Sequence, residues 1–148
     1  MKTLHFSIQI NAPKKKVWEV MLGDKTYREW TTIFMPGSHF VGNWNKDTKM
    51  QFLAPNEDGK MGGMTSEVAD SIPYELISIK HVGLVTDGVE DTTSSEAKKW
   101  VGYEKYRFMD VVGKTELMIE VDTTHDFVSF MKDTWPKALQ TIKELAEK

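Results

Sequence analysis

The chain has 148 residues, no cysteine, and 22 acidic against 19 basic side chains, a net charge of −3. The missing cysteine excludes disulfides, thiolate metal sites and cysteine nucleophiles, and the mild acidity disfavours nucleic acid or an anionic membrane surface as a partner. Length fits one domain spanning residues 1–148 with a core that needs no staples, and no apolar run reaches the roughly 20 residues of a membrane span.

Residues 3–10 alternate, with Leu4, Phe6, Ile8 and Ile10 on one face and His5, Ser7 and Gln9 on the other. This is the pattern of a half-buried strand and not of a signal peptide, so a cytoplasmic protein is expected. Asn11-Ala12-Pro13 offers a cap and a first-turn proline to a helix carrying Val17, Trp18, Met21 and Leu22, which Gly23-Asp24 ends. A second short helix is predicted over Lys25 to Trp30, with Trp30 turned inward. After the break at Met35-Pro36-Gly37, strands are predicted over His39–Trp44, Lys49–Leu53, Met64–Ile72, Glu75–Val82, Trp100–Val112 and Thr115–Thr124. Asn45-Lys46-Asp47, Asn56-Glu57-Asp58-Gly59 and Ile72-Pro73 supply the turns. The polar stretch from Thr86 to Lys99 reads as a mobile loop or a short strand with a long exit. From Asp126 a helical stripe follows: Val128, Met131, Trp135, Ala138 or Leu139, Ile142 and Leu145. Pro136 lies inside it and predicts a kink or break near Lys132–Trp135.

The last two strands form a hairpin whose register can be written down. A two-residue turn at Gly113-Lys114 places Val112 opposite Thr115, Phe108 opposite Ile119 and Tyr106 opposite Val121. Arg107 then faces Glu120 and Lys105 faces Asp122 on the outer side, while Glu104 points inward opposite Thr123.

Four segments now carry a family resemblance: Ile10-Asn11-Ala12-Pro13 leading to Val17-Trp18; Glu67 to Leu76 with Pro73 between two strands; Gly113-Lys114-Thr115-Glu116-Leu117; and Trp135-Pro136-Lys137-Ala138-Leu139. In this order and spacing the chain resembles the START-like (SRPBCC) superfamily, and within it the branch named for the heat-shock-chaperone ATPase activator. It departs from many relatives at Asp47, where glycine is common. The resemblance implies an α+β helix-grip fold, a curved antiparallel β-sheet wrapped around a long C-terminal helix with a cavity between them. It also implies a stress-response or chaperone context, among functions that range from lipid carriage to polyketide cyclisation.

Local chemistry narrows this only a little. His5, His39, His81 and His125 form no metal-binding spacing, no Gly-x-Ser-x-Gly elbow surrounds a serine, and no metal or cofactor is implied. Gly62-Gly63 reads as flexibility at a strand start, and Lys14-Lys15-Lys16 as a solvated helix face. His81 shares a strand face with Ile77 and Ile79, as a core-edge histidine or a general base. Glu104 is either a rim carboxylate or an acid, base or ligand anchor, with Tyr106 able to supply a hydroxyl. Nine methionines, and aromatics at 11% of the chain, suit a pocket that repacks around its contents. The expected function is binding of a small, largely apolar molecule, lipid or aromatic in type. The expected lining is Trp44, Phe52, Met64, His81, Glu104, Tyr106, Phe108, Ile119, Phe130 and Trp135. A chaperone-assisting or other protein-interaction domain, with a chaperone or homodimer contact, is the alternative, and a cyclase- or hydrolase-type enzyme the third reading.

Overall fold

A computed structural model describes residues 1–148. In chain order the elements are β1 (Lys2–Ile10), α1 (Lys14–Leu22), α2 (Asp24–Thr31), β2 (His39–Val41), β3 (Lys49–Pro55), β4 (Met61–Ile72), β5 (Leu76–Thr86), β6 (Val89–Asp91), α3 (Ser95–Lys98), β7 (Gly102–Val111), β8 (Lys114–Thr123) and α4 (Val128–Ala146). The sheet is antiparallel in the order β1-β8-β7-β5-β4-β3-β2, and β6 pairs with the end of β5 beyond the reach of β7. It curves around α4 in the helix-grip arrangement that the sequence predicts. A single 3-10 turn, His125–Phe127, leads into α4.

The alternating faces come from side-chain parity. Leu4 and Ile10 of β1, Ile77 and Ile79 of β5, Tyr106 and Phe108 of β7, and Leu117, Ile119 and Val121 of β8 are all buried on the concave face. They meet Trp135, Ala138, Leu139 and Ile142 of α4, whose apolar stripe is the one read from the sequence. Trp135 is the hub of this contact, with ring centroids 5.7 Å from Trp30, 5.1 Å from Phe34 and 6.2 Å from Phe6.

Several local expectations are corrected. The β7–β8 turn is Val112-Gly113, not Gly113-Lys114, and Val111 pairs with Lys114. Phe108 therefore faces Leu117, Tyr106 faces Ile119 and Glu104 faces Val121. The slide is two residues along β8, so no side chain changes face. Both loop residues have positive φ, 52° at Val112 and 82° at Gly113, the signature of a type I′ turn. Lys105 lies opposite Glu120, at 3.6 Å, while Arg107 lies opposite Met118.

Asn11 does not cap α1. Pro13 occupies the capping position, and the Asn11 backbone N–H donates instead to Glu147 at 2.7 Å. The break expected at Pro136 is absent, for α4 runs on from Val128 to Ala146. Pro136 and Lys132, whose carbonyl loses its donor, both lie on the exposed side of α4, so the lost hydrogen bond does not fall in the core. Asp47 adopts φ 66°, a left-handed conformation that explains why a glycine suits this position. The stretch from Thr86 to Lys99 holds β6 and the one-turn α3, capped by the Ser94 side chain. Gly62 and Gly63 lie within β4 and do not merely precede it. A Cβ on Gly63 would lie 1.9 Å from the Phe52 carbonyl oxygen, so glycine is required for β3 and β4 to approach this closely.

Candidate functional site

Between α2, the far ends of β3, β4 and β5, and the first turns of α4 lies a cavity of about 520 Å³. Its volume falls within the range of roughly 300–1,000 Å³ that houses small-molecule ligands. Fifteen of its 23 lining residues are hydrophobic, so its occupant would be held mainly by apolar contact.

Of the ten residues expected at the site, Phe52, Met64, Glu104, Phe130 and Trp135 line this cavity. His81 and Tyr106 stand behind Glu104, hydrogen-bonded to it and buried away from the cavity surface. Trp44, Phe108 and Ile119 are core residues. Trp44 packs its ring against Phe40 at 5.0 Å and Phe52 at 5.7 Å, while Phe108 packs under α1 against Trp18 at 5.2 Å. Ile119 is covered by its place beside Tyr106 in the middle of the sheet. Phe108 and Ile119 share the concave face with the site residues, but the cavity occupies only the end of that face nearest α2; Trp44, expected at the end of a strand His39–Trp44, lies in the loop after β2 with φ 63°.

The expected lining omits Tyr27, Trp30 and Phe34, which α2 and the segment after it lay across the cavity, and Trp100, Phe127 and Met131 at its mouth. Trp30 reads as inward-facing from the sequence, and Phe127 lies in the 3-10 turn that leads into α4. That signal does not reveal which stretch of the sheet the helix covers.

Glu104 is the polar pole of the cavity. Its side chain is 22% exposed, and it is the only lining carboxylate, ammonium or guanidinium. The Tyr106 hydroxyl, two residues along β7, donates to Oε2, and His81 Nε2 lies 3.5 Å from Oε1. Behind His81, the Ser66 hydroxyl sits 2.7 Å from Nδ1. Nε2 donates to Glu104, and the Ser66 hydroxyl pairs with Nδ1 from the other side of the ring.

Two bulges produce this alignment. Thr65 pairs with Gly83 but Ser66 pairs with His81, which leaves Val82 as an extra residue in β5; Ala69 is the matching extra residue in β4. Without them Ser66 would lie opposite Val82.

Burial pushes the Glu104 carboxyl up, but the hydrogen bond and charge of His81 and the hydroxyl of Tyr106 outweigh it and hold the group below its ordinary value. Burial, and then the negative charge of Glu104, raise the Tyr106 and Tyr27 phenols. Both therefore stay protonated as hydrogen-bond donors. The cavity thus combines aromatic walls with one carboxylate that His81 and Tyr106 hold from the side away from the cavity. No cluster of three or more histidine, aspartate or glutamate side chains is placed to hold a metal ion.

No family model and no curated protein matches the sequence. The fold has clear counterparts among solved structures. An uncharacterized protein from Rhizobium leguminosarum superposes with a TM-score of 0.71 at 13% identity, over 99% of this chain and 94% of the other. The Aha1 dimer from Colwellia psychrerythraea gives 0.70 at 18% identity, over 99% and 97%. A Chromobacterium violaceum protein gives 0.70 at 16% identity, over 100% and 99%. At these identities the likeness establishes the fold.

Proposed function

We propose that this protein is a START-like (SRPBCC) domain that binds a small, largely apolar ligand between its sheet and C-terminal helix. The observation that carries the reading is the 520 Å³ cavity, open to solvent beside α2 and walled mainly by aromatic and aliphatic side chains. No helix is long and apolar enough to cross a membrane, and a cytoplasmic setting with an apolar metabolite as partner fits this reading.

The second reading is a chaperone-assisting or homodimeric interaction domain. Its support is the likeness to the Aha1 dimer and the exposure of Met35, Phe127 and Phe130 at the cavity mouth. In the ligand-binding reading the same three side chains close over the bound molecule. Catalysis has less behind it. Glu104 is held ionised as a weak base, and Ser66, beside His81, is fully buried and does not reach the cavity.

Native mass spectrometry of freshly purified protein, with titration of a neutral fluorescent apolar probe, tests the proposal. A co-purified small molecule, or saturable binding near one probe per chain with quenching of tryptophan emission, is expected, since Trp30 and Trp135 line the cavity. Absence of both, with a dimer on light scattering, would transfer the function to the interaction reading.

A further inference from the structure

The lining of the cavity says more about its ligand than that it is apolar. An uncharged lipid or aromatic molecule needs no carboxylate, and burying one is costly unless something offsets it. Here the offset is internal and deliberate in its geometry. His81 and Tyr106, both buried, hydrogen-bond to Oε1 and Oε2 of Glu104, buried Ser66 holds His81 from behind, and the part of the Glu104 side chain left exposed borders the cavity.

Charge accounting comes next. Besides Glu104, the titratable side chains facing the cavity are Tyr27 from α2 and His39 from β2. His39 Nδ1 is 2.9 Å from the Gly37 carbonyl, which occupies that ring nitrogen as a donor. His81 is the one basic side chain in contact with Glu104, and it lies behind the carboxylate, buried away from the cavity. No lysine or arginine lines the cavity, so on its cavity side Glu104 has no ammonium or guanidinium partner, among a lining rich in aromatic rings.

Aromatic faces carry negative electrostatic potential and attract organic cations, most strongly when desolvated. Tyr27, Trp30, Phe52 and Trp135 present such rings around the same space that Glu104 borders. Aromatic walls and a lone carboxylate act in the same direction: both favour positive charge, and both disfavour an anionic ligand such as a fatty acid.

We infer that the ligand is an organic cation, an apolar or aromatic body bearing an ammonium group that sits against Glu104 within the aromatic wall. This rests on the ligand-binding reading above and narrows it to one charge class.

Three probes of closely matched size separate the two claims: 2-naphthylmethylammonium, 2-naphthylmethanol and 2-naphthoate, titrated into the full chain by calorimetry at constant ionic strength. The cation is expected to bind at least tenfold more tightly than the alcohol, with the naphthoate weakest. Glu104→Gln is expected to bring the cation-to-alcohol ratio within about twofold of one. An alcohol that binds as tightly as the cation, or a naphthoate that binds best, overturns the cationic assignment and leaves the cavity reading standing. Saturable binding by none of the three overturns both. Should the Glu104→Gln chain fail to fold, the ratio measured on the unaltered protein decides the matter by itself.

Discussion

Ser66 of β4 and His81 of β5 are directly opposed across the sheet, with the serine hydroxyl 2.7 Å from Nδ1. The pair is fully enclosed, and through the far side of the imidazole it steadies Glu104 at the cavity wall. Sequence, local irregularity and site are linked here: two bulges bring a small hydroxyl beside a histidine, and the histidine orients a carboxylate.

Ser66→Ala removes the partner of a buried imidazole nitrogen without room for water to replace it. A loss of about 1–3 kcal/mol in urea unfolding is expected. Ser7→Ala, on the exposed face of β1, should stay within about 0.5 kcal/mol. Equal costs would show that the Ser66–His81 contact contributes nothing net.

The β7–β8 turn offers a gain in stability. Val112 is a β-branched residue at φ 52° with 99% of its surface exposed, so it is strained in the left-handed region and packs against nothing. Asparagine before glycine is the preferred pair for a type I′ turn. Val112→Asn should raise stability by about 1 kcal/mol, read as a shift in the urea midpoint at unchanged slope. A turn formed by Gly113-Lys114 would not respond in this way.

That turn also shows where sequence reasoning stops. Strand parity places Phe108, Tyr106 and Glu104 on the concave face, and a slide of two residues leaves the parity intact. The register itself depends on which two residues form the loop. A valine with positive φ is the choice propensity argues against, so only the folded pairing reveals it. Glu104 was legible as an inward carboxylate for the same reason of parity. Ser66 was not, because its partner depends on extra residues at Val82 and Ala69 that no local pattern marks. Tyr27 and Phe34 were missed because their role depends on how α2 crosses the sheet. Phe108 and Ile119 share the concave face without sharing the cavity, which parity alone cannot distinguish, and Trp44 falls in a loop where the alternation predicts a strand.

Acid should expose the contribution of Glu104. Its carboxyl is held below the ordinary value of about 4.3 that it regains on unfolding, so ionised Glu104 stabilises the fold above that pH. The contribution is lost as pH falls through the depressed value of the folded state. Glu104→Gln is therefore expected to be less stable than the unaltered chain at pH 7, with the gap closing towards pH 3 in urea titrations. The raised phenols of Tyr27 and Tyr106 stay protonated throughout this window and do not confuse it. The other titratable group in contact is His81, so the same comparison in a His81→Gln background isolates the pair. A gap independent of pH would mean that the loss at pH 7 does not come from the charge.

The boundary between cavity and core is tested by two phenylalanines. Phe108 is 1% exposed beneath α1, and Phe108→Ala should cost about 3–5 kcal/mol through the void it leaves. It does not touch the cavity, so probe affinity in the folded fraction should stay within about twofold. Phe130 lies at the cavity mouth with 41% of its surface exposed. Phe130→Ala removes far less buried area and should cost only about 1 kcal/mol, but it should weaken an apolar probe several-fold by opening the site to water. The two variants therefore separate stability from binding in opposite directions. If Phe108→Ala changes affinity while Phe130→Ala leaves it untouched, the probe sits deeper in the sheet, beneath α1, and the cavity beside α2 is not the binding site.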